Sequence, residues 1–174
     1  MSSSLATCNL PRREARGENE RQETDMKKEV VILVAEDDEA HALLIQSNLE
    51  RAGISNEQIV FQNGRETLDF LFGRGTGRKR EPDKPYLMLL DIRMPKVDGV
   101  EVLRQVKADP KLKRMPVIMV TTTDDPREIE RCHELGCSSY VTKPVDYDQF
   151  VEAIRRLGLF LLVVEIPKVN GERK

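Results

Sequence analysis

Residues 86–99 read YLMLLDIRMPKVDG, an apolar strand that runs directly into a carboxylate and then a turn. The apolar residues 86–90 follow one another without polar alternation, which predicts a strand covered on both faces, as parallel strands are in α/β domains. Asp91 would then close this strand at the edge of the sheet where open α/β domains bind ligands. The Met-Pro pair at 94–95 prevents a helix from starting at once, and the Asp-Gly pair at 98–99 predicts a turn and a helix cap.

A second buried strand is predicted at residues 30–35, and it ends in Glu36, Asp37 and Asp38. Two strands of one sheet would therefore bring several carboxylates to the same edge. Each carboxylate disfavours ionisation of the others, and burial adds a desolvation cost. Mg²⁺ would remove this conflict, because it binds oxygen ligands and needs only one or two carboxylates beside water and phosphate oxygens. We interpret Asp38 first as a cap for the following helix.

Composition limits the class of protein. With 174 residues, a net charge of −2 and 39% hydrophobic residues, the chain is long enough for one compact domain, and its charge does not point to nucleic acid. The longest apolar stretch, residues 157–166, is too short to span a bilayer, and residues 1–10 lack the pattern of a signal peptide. We therefore expect a cytoplasmic protein with no membrane partner.

The three cysteines, Cys8, Cys132 and Cys137, do not predict a disulfide framework. Cys132, His133 and Cys137 lie close together in sequence, but their spacing fits no common zinc pattern. Packing on one face of a helix is the favoured interpretation for these three residues.

Three segments differ in composition. Residues 1–28 mix opposite charges with almost nothing apolar, which predicts a disordered charged tail; a helical arm that docks on a partner is the alternative. Residues 29–162 carry the strand and helix patterns and form the predicted domain. Residues 163–174 form an apolar C-terminal extension and tail.

Five strand-then-helix units alternate along the predicted domain. Alternation of this kind predicts an α/β fold with a doubly wound, five-stranded parallel sheet, right-handed crossovers and helices on both faces. Residues 73–85, rich in glycine, proline and basic residues, indicate a surface loop. The first five residues of this loop resemble a phosphate cradle, but they precede a strand rather than opening a helix. The strands are predicted at 30–35, 58–61, 86–90, 115–120 and 139–142.

Polar side chains follow four of these strands. The carboxyl ends of parallel strands lie at one edge of a sheet, so we expect these side chains to converge on one cleft. They are Glu36 and Asp37 after the first strand, Asp91 after the third, Thr121 after the fourth and Lys143 after the fifth.

This set of motifs resembles the receiver domain of two-component response regulators. The match covers about residues 29–162 and runs in order: an acidic pair, Asp-x-x-Met-Pro-x-x-Asp-Gly, Thr, and Lys-Pro. The resemblance implies the flavodoxin-like (βα)5 receiver fold, with Asp91 as the phosphoacceptor. It also implies a Mg²⁺ ion bound by Asp37 and Asp91, by Glu36 through water, and by the backbone carbonyl of Arg93.

The residue types fit phosphoryl transfer. The Asp91 carboxylate would attack a phosphoryl donor to give an acyl phosphate, while Mg²⁺ and the Lys143 ammonium neutralise the charge on the phosphoryl oxygens. Thr121 would donate its hydroxyl to one of those oxygens. The resemblance implies that Tyr140 then turns into the space that Thr121 vacates and so switches a protein-interaction surface. Ordinary half-buried packing of Tyr140 is the alternative.

The resemblance assigns roles to three further positions near the cleft. It places Pro144 at a cis-proline position that aims Lys143 inward. It places Arg93 and Thr123 beside the path of hydrolytic water. The Arg93 guanidinium would shield the acyl phosphate or pair with a nearby carboxylate, and so affect the lifetime of the phosphorylated protein.

The chain ends in a run, residues 158–167, that is apolar on more than one face. A solvated last helix would not tolerate this pattern, which implies a partner surface. We hypothesise a symmetric homodimer through the last helix and this extension; folding back on its own domain is the alternative. This ending, the long loop at 73–85 and the sequence AEDDEAH at 35–41 are similar to small stand-alone regulators paired with phytochrome-type histidine kinases.

These features together predict a single-domain response regulator, phosphorylated on Asp91 with Mg²⁺ by a histidine kinase or a phosphotransfer protein. It would not be an enzyme, although it would promote its own phosphorylation and slow autodephosphorylation. It would act by protein contact, as a phosphorelay intermediate or as a phosphate sink.

Two other classes stay open. A flavodoxin-like small-ligand binder would need a Ser/Thr/Gly-rich turn where residues 36–38 stand. A Mg²⁺-dependent phosphohydrolase would need an acid/base where Arg93 stands.

Overall fold

The computed structural model of this chain describes residues 30–144 and 146–161, without the side chains of Tyr147 and residues 158–161. The predicted tail at 1–28 and the extension at 163–174 lie outside the described residues, so their proposed roles stay predictions. No helix in the described part of the chain is both long enough and apolar enough to cross a membrane.

Strands and helices alternate without exception through the described residues, as the sequence predicts. All five strand-helix units are present. The elements are β1 (Val31–Ala35), α1 (Glu39–Arg51), β2 (Gln58–Phe61), α2 (Gly64–Phe72), β3 (Tyr86–Leu90), α3 (Gly99–Ala108), β4 (Val117–Thr121), α4 (Pro126–Glu134), β5 (Ser139–Thr142) and α5 (Tyr147–Leu161).

The five strands form one parallel sheet in the order β2-β1-β3-β4-β5. The chain therefore starts in the sheet interior, moves out to β2, and passes back across β1 to β3. This reversal places β1 and β3 side by side, with Ala35 paired to Leu90. Open α/β sheets bind ligands at such a reversal point. The predicted acidic residues follow directly after Ala35 and Leu90.

Both faces of the sheet are covered, because successive side chains of a strand point to opposite faces. All five residues of β3 are buried, as the uninterrupted apolar run predicts. One core packs alternate strand residues such as Met88 against α2, α3 and Cys132 of α4. The other packs residues such as Leu89 against α1 and α5. The doubly wound α/β class is confirmed.

Side-chain caps define where the helices begin. Asp38, Asp98 and Asp125 each accept a hydrogen bond from a backbone amide in the first turn of α1, α3 and α4, at 2.8–3.0 Å. The caps predicted at Asp38 and Asp98 are confirmed. Asn63 caps α2 in the same way, and its amide also donates to the Glu66 carboxylate at 2.7 Å. That cap was not predicted.

Strand β4 begins at Val117, two residues later than the sequence predicts, and ends at Thr121. Pro116 has no amide hydrogen to donate to a strand ladder. The amide of Met115 instead bonds back to the Leu112 carbonyl at 2.8 Å and closes a turn. Thr121, expected just beyond the strand, is the last residue of β4 and pairs with Thr142 of β5.

The glycine-rich segment between α2 and β3 is a surface loop that opens no helix, so the structure does not support a phosphate cradle there. Gly73 ends α2 in the left-handed conformation, with φ +67°. Arg78 and Lys84 both form ion pairs with Glu57, at 2.6 and 3.4 Å, which ties the loop to the segment before β2.

Gly99, the first residue of α3, lies directly against the strand end that carries Asp91. A Cβ atom at this position would lie 2.0 Å from the Asp91 carbonyl oxygen and 2.8 Å from its carbonyl carbon. Both atoms belong to the backbone, so neither can turn away as a flexible side chain would.

We predict that Gly99→Ala lowers the free energy of unfolding by about 1–3 kcal/mol, because the added methyl group over-packs this contact. Urea denaturation measures the change. Gly77→Ala is the matched control, since no atom lies within 4 Å of a Cβ built there. Its effect should stay within about 0.5 kcal/mol. An equal effect of both substitutions would mean that Gly99 does not pack closely against the Asp91 backbone.

Candidate functional site

The structure brings together the side chains that the sequence predicts at the carboxyl edge of the sheet. Glu36 and Asp37 follow β1, and Asp91 follows β3. The backbone continues the pairing of these two strands, because the Asp91 amide donates to the Ala35 carbonyl at 2.9 Å. Lys143 follows β5, and its amide donates to the Thr121 carbonyl at 2.6 Å. These backbone bonds fix the positions from which the functional side chains start.

Lys143 is the centre of the cluster. Its side chain is only 3% exposed, and its Nζ atom lies 2.5 Å from Glu36 Oε2 and 3.2 Å from Asp91 Oδ2. Glu36 and Asp91 are also buried. One ammonium group is thus shared by two buried carboxylates, which leaves an excess of negative charge. Removing either partner of such a buried pair is strongly destabilising, because a charge is left uncompensated.

Burial raises the pKa of the Glu36 carboxyl above its usual range, and the neighbouring Asp91 carboxylate acts in the same direction. Lys143 opposes this shift through its charge and its hydrogen bond. The direction of the shift means that the charged form of Glu36 is not fully compensated by Lys143. A further positive charge beside Glu36 would therefore be favourable.

The three acidic residues fit a hard divalent cation. Glu36, Asp37 and Asp91 can each offer one carboxylate oxygen, with these oxygens within 4.8 Å of one another. They are the only group of this kind found among residues 30–144 and 146–161. Asp37 is exposed, which leaves one side of the group open to water. An all-oxygen donor set with an open side matches the preference of Mg²⁺, and Mn²⁺ accepts the same ligands.

The predicted backbone ligand, the carbonyl of Arg93, lies in the loop just after Asp91. Within the described part of the chain no backbone donor bonds to this carbonyl oxygen, and its role as a ligand stays a prediction. The Arg93 side chain points elsewhere: its guanidinium lies 2.9 Å from the Glu128 carboxylate, at the first turn of α4. This contact matches the predicted pairing of Arg93 with a nearby carboxylate.

Thr121 places a hydroxyl group at the same edge. The residue is completely buried, and its Oγ1 atom has no hydrogen-bond partner among the residues that the structure describes. An unpaired buried hydroxyl is unfavourable by roughly 1–3 kcal/mol. A ligand oxygen in the cleft would satisfy it, which fits the predicted role of Thr121 as a donor to a phosphoryl oxygen.

Tyr140 lies on β5, paired with Met119 of β4, and is half-buried. Its hydroxyl donates to the Thr123 carbonyl at 3.0 Å, so the ring spans the loop that follows Thr121. Burial raises the pKa of Tyr140 to about 12. The side chain is therefore neutral and hydrogen-bonded here. It is predicted to turn into the space that Thr121, at the end of β4, vacates.

One expectation from the family is wrong. The described residues contain no cis peptide bond, so Pro144 does not follow Lys143 in the cis form. Lys143 nevertheless reaches Glu36 and Asp91, because its amide is already anchored to the Thr121 carbonyl in the β4–β5 arrangement.

Packing explains the cysteine pair. Cys132 is fully buried within one core, and Cys137 packs against the same core. Burial raises the pKa of the Cys132 thiol to about 11. Both cysteines are free, and the described residues place no metal-binding group around them and His133.

Two residues near the site were missed by sequence reasoning. His41, on the first turn of α1, has its Nδ1 atom 3.6 Å from Glu36 Oε1, and its ring lies edge-on to Phe150. Its position on the first turn after an acidic pair is a local signal that could have found it. Glu128 contacts Arg93 across 35 residues of sequence. No local pattern identifies that contact.

Comparison with known proteins gives consistent matches. Residues 32–155 match the family model of the response regulator receiver domain. A response regulator receiver domain from Rhodospirillum rubrum has a crystal structure with a TM-score of 0.76 and 45% identity, over 81% of this chain and 99% of that chain.

Response regulator Rcp1 of Synechocystis sp. is 33% identical over 132 residues, or 76% of this chain and 88% of the relative. The crystal structure of the Mn²⁺-bound form of Rcp1 has a TM-score of 0.70 and 32% identity, over 79% of this chain and 98% of that chain. The phosphorylated cyanobacterial phytochrome response regulator RcpA has a TM-score of 0.69 and 32% identity, over 79% of this chain and 97% of that chain.

We predict that Asp37→Asn weakens Mn²⁺ binding at least about tenfold, since losing even an outer partner of a metal ligand weakens binding 10- to 100-fold. Isothermal titration calorimetry measures the affinity. The metal-free variant should be no less stable than the unaltered protein, because Asp37 is exposed and its charge adds to a crowded acidic group. Asp124→Asn, which removes an exposed carboxylate before α4, is the control and should leave the affinity unchanged. Unchanged affinity in Asp37→Asn would exclude Asp37 as a ligand.

Proposed function

This chain belongs to the response regulator receiver domain family, and we propose that it accepts a phosphoryl group on Asp91 in a Mg²⁺-dependent reaction. The donor is a histidine kinase or a phosphotransfer protein. The observation that carries this proposal is the shared contact of Lys143 with Glu36 and Asp91. That contact brings the proposed nucleophile, Asp91, together with the Lys143 ammonium and the Glu36 carboxylate at one edge of the sheet.

Asp91 is the nucleophile in this proposal. Its Oδ1 atom accepts a hydrogen bond from the Ile92 amide at 2.7 Å, which orients the carboxylate at the end of β3. A carboxylate oxygen attacks the phosphorus of a phosphohistidine, the phosphorus–nitrogen bond breaks, and the nitrogen keeps the electron pair and takes a proton from solvent. The product is an acyl phosphate on Asp91. Bound Mg²⁺ supplies neutralisation of charge on the transferring oxygens.

Lys143 and Thr121 act on the transferred group. The Lys143 ammonium lies 3.2 Å from the Asp91 carboxylate, so it can interact with a phosphoryl oxygen attached there. The Thr121 hydroxyl, which has no partner among the described residues, donates to another phosphoryl oxygen. Once Thr121 is drawn towards the phosphoryl group, Tyr140 turns inward and its bond to the Thr123 carbonyl is lost. The surface around α4, β5 and α5 then changes for a partner protein.

The chemistry ends with the acyl phosphate, so the protein acts as a phosphoacceptor rather than an enzyme with a separate substrate. Slow hydrolysis of the acyl phosphate returns it to the resting state. The likeness to Rcp1 and to a phytochrome response regulator supports a phytochrome-type histidine kinase as the donor. Output by protein contact is the main proposal, with a phosphorelay or phosphate-sink role as the alternative. No observation favours the small-ligand or phosphohydrolase class.

We predict that incubation with acetyl phosphate and Mg²⁺ adds one phosphoryl group to the protein, detected by intact mass. Asp91→Asn should remove the added mass, because the nucleophilic carboxylate is lost. Asp124→Asn keeps every carboxylate of the cluster and should be phosphorylated normally. Phosphorylation of Asp91→Asn to the same extent would reject Asp91 as the acceptor. Circular dichroism of each variant checks that it is folded.

A symmetric homodimer through α5 and the apolar extension remains part of the proposal. Its support is the apolar pattern of residues 158–167, whose side chains lie outside the described part of the chain.

We predict that the full chain is a dimer by light scattering. Removal of the residues after Leu162 should shift it towards monomer, because apolar surface buried between two copies is lost. A dimer formed equally well by the shortened chain would mean that the extension does not contribute to the interface. A monomer in both forms would exclude the dimer.

A further inference from the structure

An ion pair joins the loop after Asp91 to the helix after Thr121. The Arg93 Nη2 atom lies 2.9 Å from Glu128 Oε1. Arg93 is two residues beyond Asp91, and Glu128 is in the first turn of α4. The pair therefore bridges two segments that flank the phosphoryl site and that have no strand ladder between them.

The two partners differ in how tightly the protein holds them. The Arg93 side chain is 65% exposed, so little packing restrains it, whereas the Glu128 side chain is 25% exposed. The second carboxylate oxygen of Glu128, Oε2, is buried and lacks a hydrogen-bond partner among the described residues. Arg93 is therefore the more exposed member of the pair, and its guanidinium compensates the half-buried Glu128 carboxylate.

Tyr140 lies near both this ion pair and Asp91. The charges of Glu128, Asp91 and Arg93 all act on the Tyr140 hydroxyl, although burial is the main reason why the pKa of Tyr140 is raised. Asp125, the cap of α4, also lies within range of the Arg93 charge. Arg93 thus lies near the acidic groups Glu128 and Asp125 at the start of α4, and it is only two residues from Asp91 in the sequence.

We propose that Glu128 is a positioning residue that competes with the phosphoryl group for Arg93. This inference rests on the proposed phosphorylation of Asp91. In the resting protein the guanidinium is held by Glu128. A phosphoryl group on Asp91 brings about two negative charges to the same loop and offers Arg93 a stronger partner.

Two consequences follow from this competition. Arg93 must leave Glu128 before it can bind the phosphoryl group, so Glu128 disfavours the phosphorylated state. When Arg93 leaves, Glu128 remains half-buried and unpaired, which loosens the first turn of α4. By thermodynamic linkage, a stronger pair disfavours the phosphorylated state by the same amount that phosphorylation disfavours the pair.

The test uses beryllium fluoride with Mg²⁺, a mimic of the phosphoryl group, and measures its dissociation constant by NMR titration of the full chain. Glu128→Gln should tighten binding about two- to fivefold, the range expected when a partly exposed ion pair no longer has to be broken. Arg93→Gln should weaken binding, because the guanidinium that binds the mimic is lost. Glu101→Gln breaks a comparable pair with Arg104 on α3 and should have no effect.

The double variant separates competition from simple repulsion. If Glu128 acts by holding Arg93, Glu128→Gln has no further effect once Arg93→Gln is present. If Glu128 merely repels the mimic, Glu128→Gln tightens binding equally in both backgrounds, which would overturn the inference. Unchanged affinity in the single Glu128→Gln variant would overturn it as well.

Hydrogen exchange of the amides at 127–131 gives a second readout. The mimic should speed exchange in the unaltered protein and change it less in Glu128→Gln, where the turn is already released. Equal acceleration in both proteins would contradict the role of Glu128. Failure of the unaltered protein to bind the mimic would overturn the proposed phosphorylation together with this inference, whereas normal binding without coupling overturns this inference alone.

Discussion

The structure depends on one buried ammonium group shared between two buried carboxylates. Lys143 compensates Glu36 only in part, since burial still raises the pKa of Glu36. Apolar residues at these positions would stabilise the fold more, because buried ion pairs often stabilise less than hydrophobic packing does. The protein retains the unbalanced charge at the sheet edge where a ligand binds. Incomplete compensation makes the site responsive to an added cation.

The rest of the fold holds this unfavourable cluster in place. Parallel pairing of β1 with β3 aligns the two acidic strand ends, and the Lys143 amide is fixed to the end of β4. Two apolar cores cover the sheet, so its backbone cannot shift to relieve the repulsion. Gly99 allows α3 to approach the Asp91 backbone more closely than any side chain would permit.

Unsatisfied polar groups lie on one side of the site, towards α4. The Thr121 hydroxyl and one Glu128 carboxylate oxygen are buried without a partner in the described part of the chain. Tyr140 and Arg93 reach across the same region to a loop carbonyl and to α4. Groups with unmet hydrogen bonds change partners readily when a new charge arrives, because little binding energy is lost. This distribution fits the proposed change at α4 on phosphorylation of Asp91.

The sequence by itself determined the α/β class, the five strands, two of the helix caps and the strand-end residues Glu36, Asp37, Asp91, Thr121 and Lys143. Those features depend on local periodicity and on the rule that parallel strands end at one edge. Only the tertiary structure decided that Lys143 bonds to both Glu36 and Asp91, that Arg93 pairs with Glu128, and that the Thr121 hydroxyl has no partner among the described residues. Contacts between residues 35 to 107 positions apart depend on how the strands and helices pack, which no local pattern encodes.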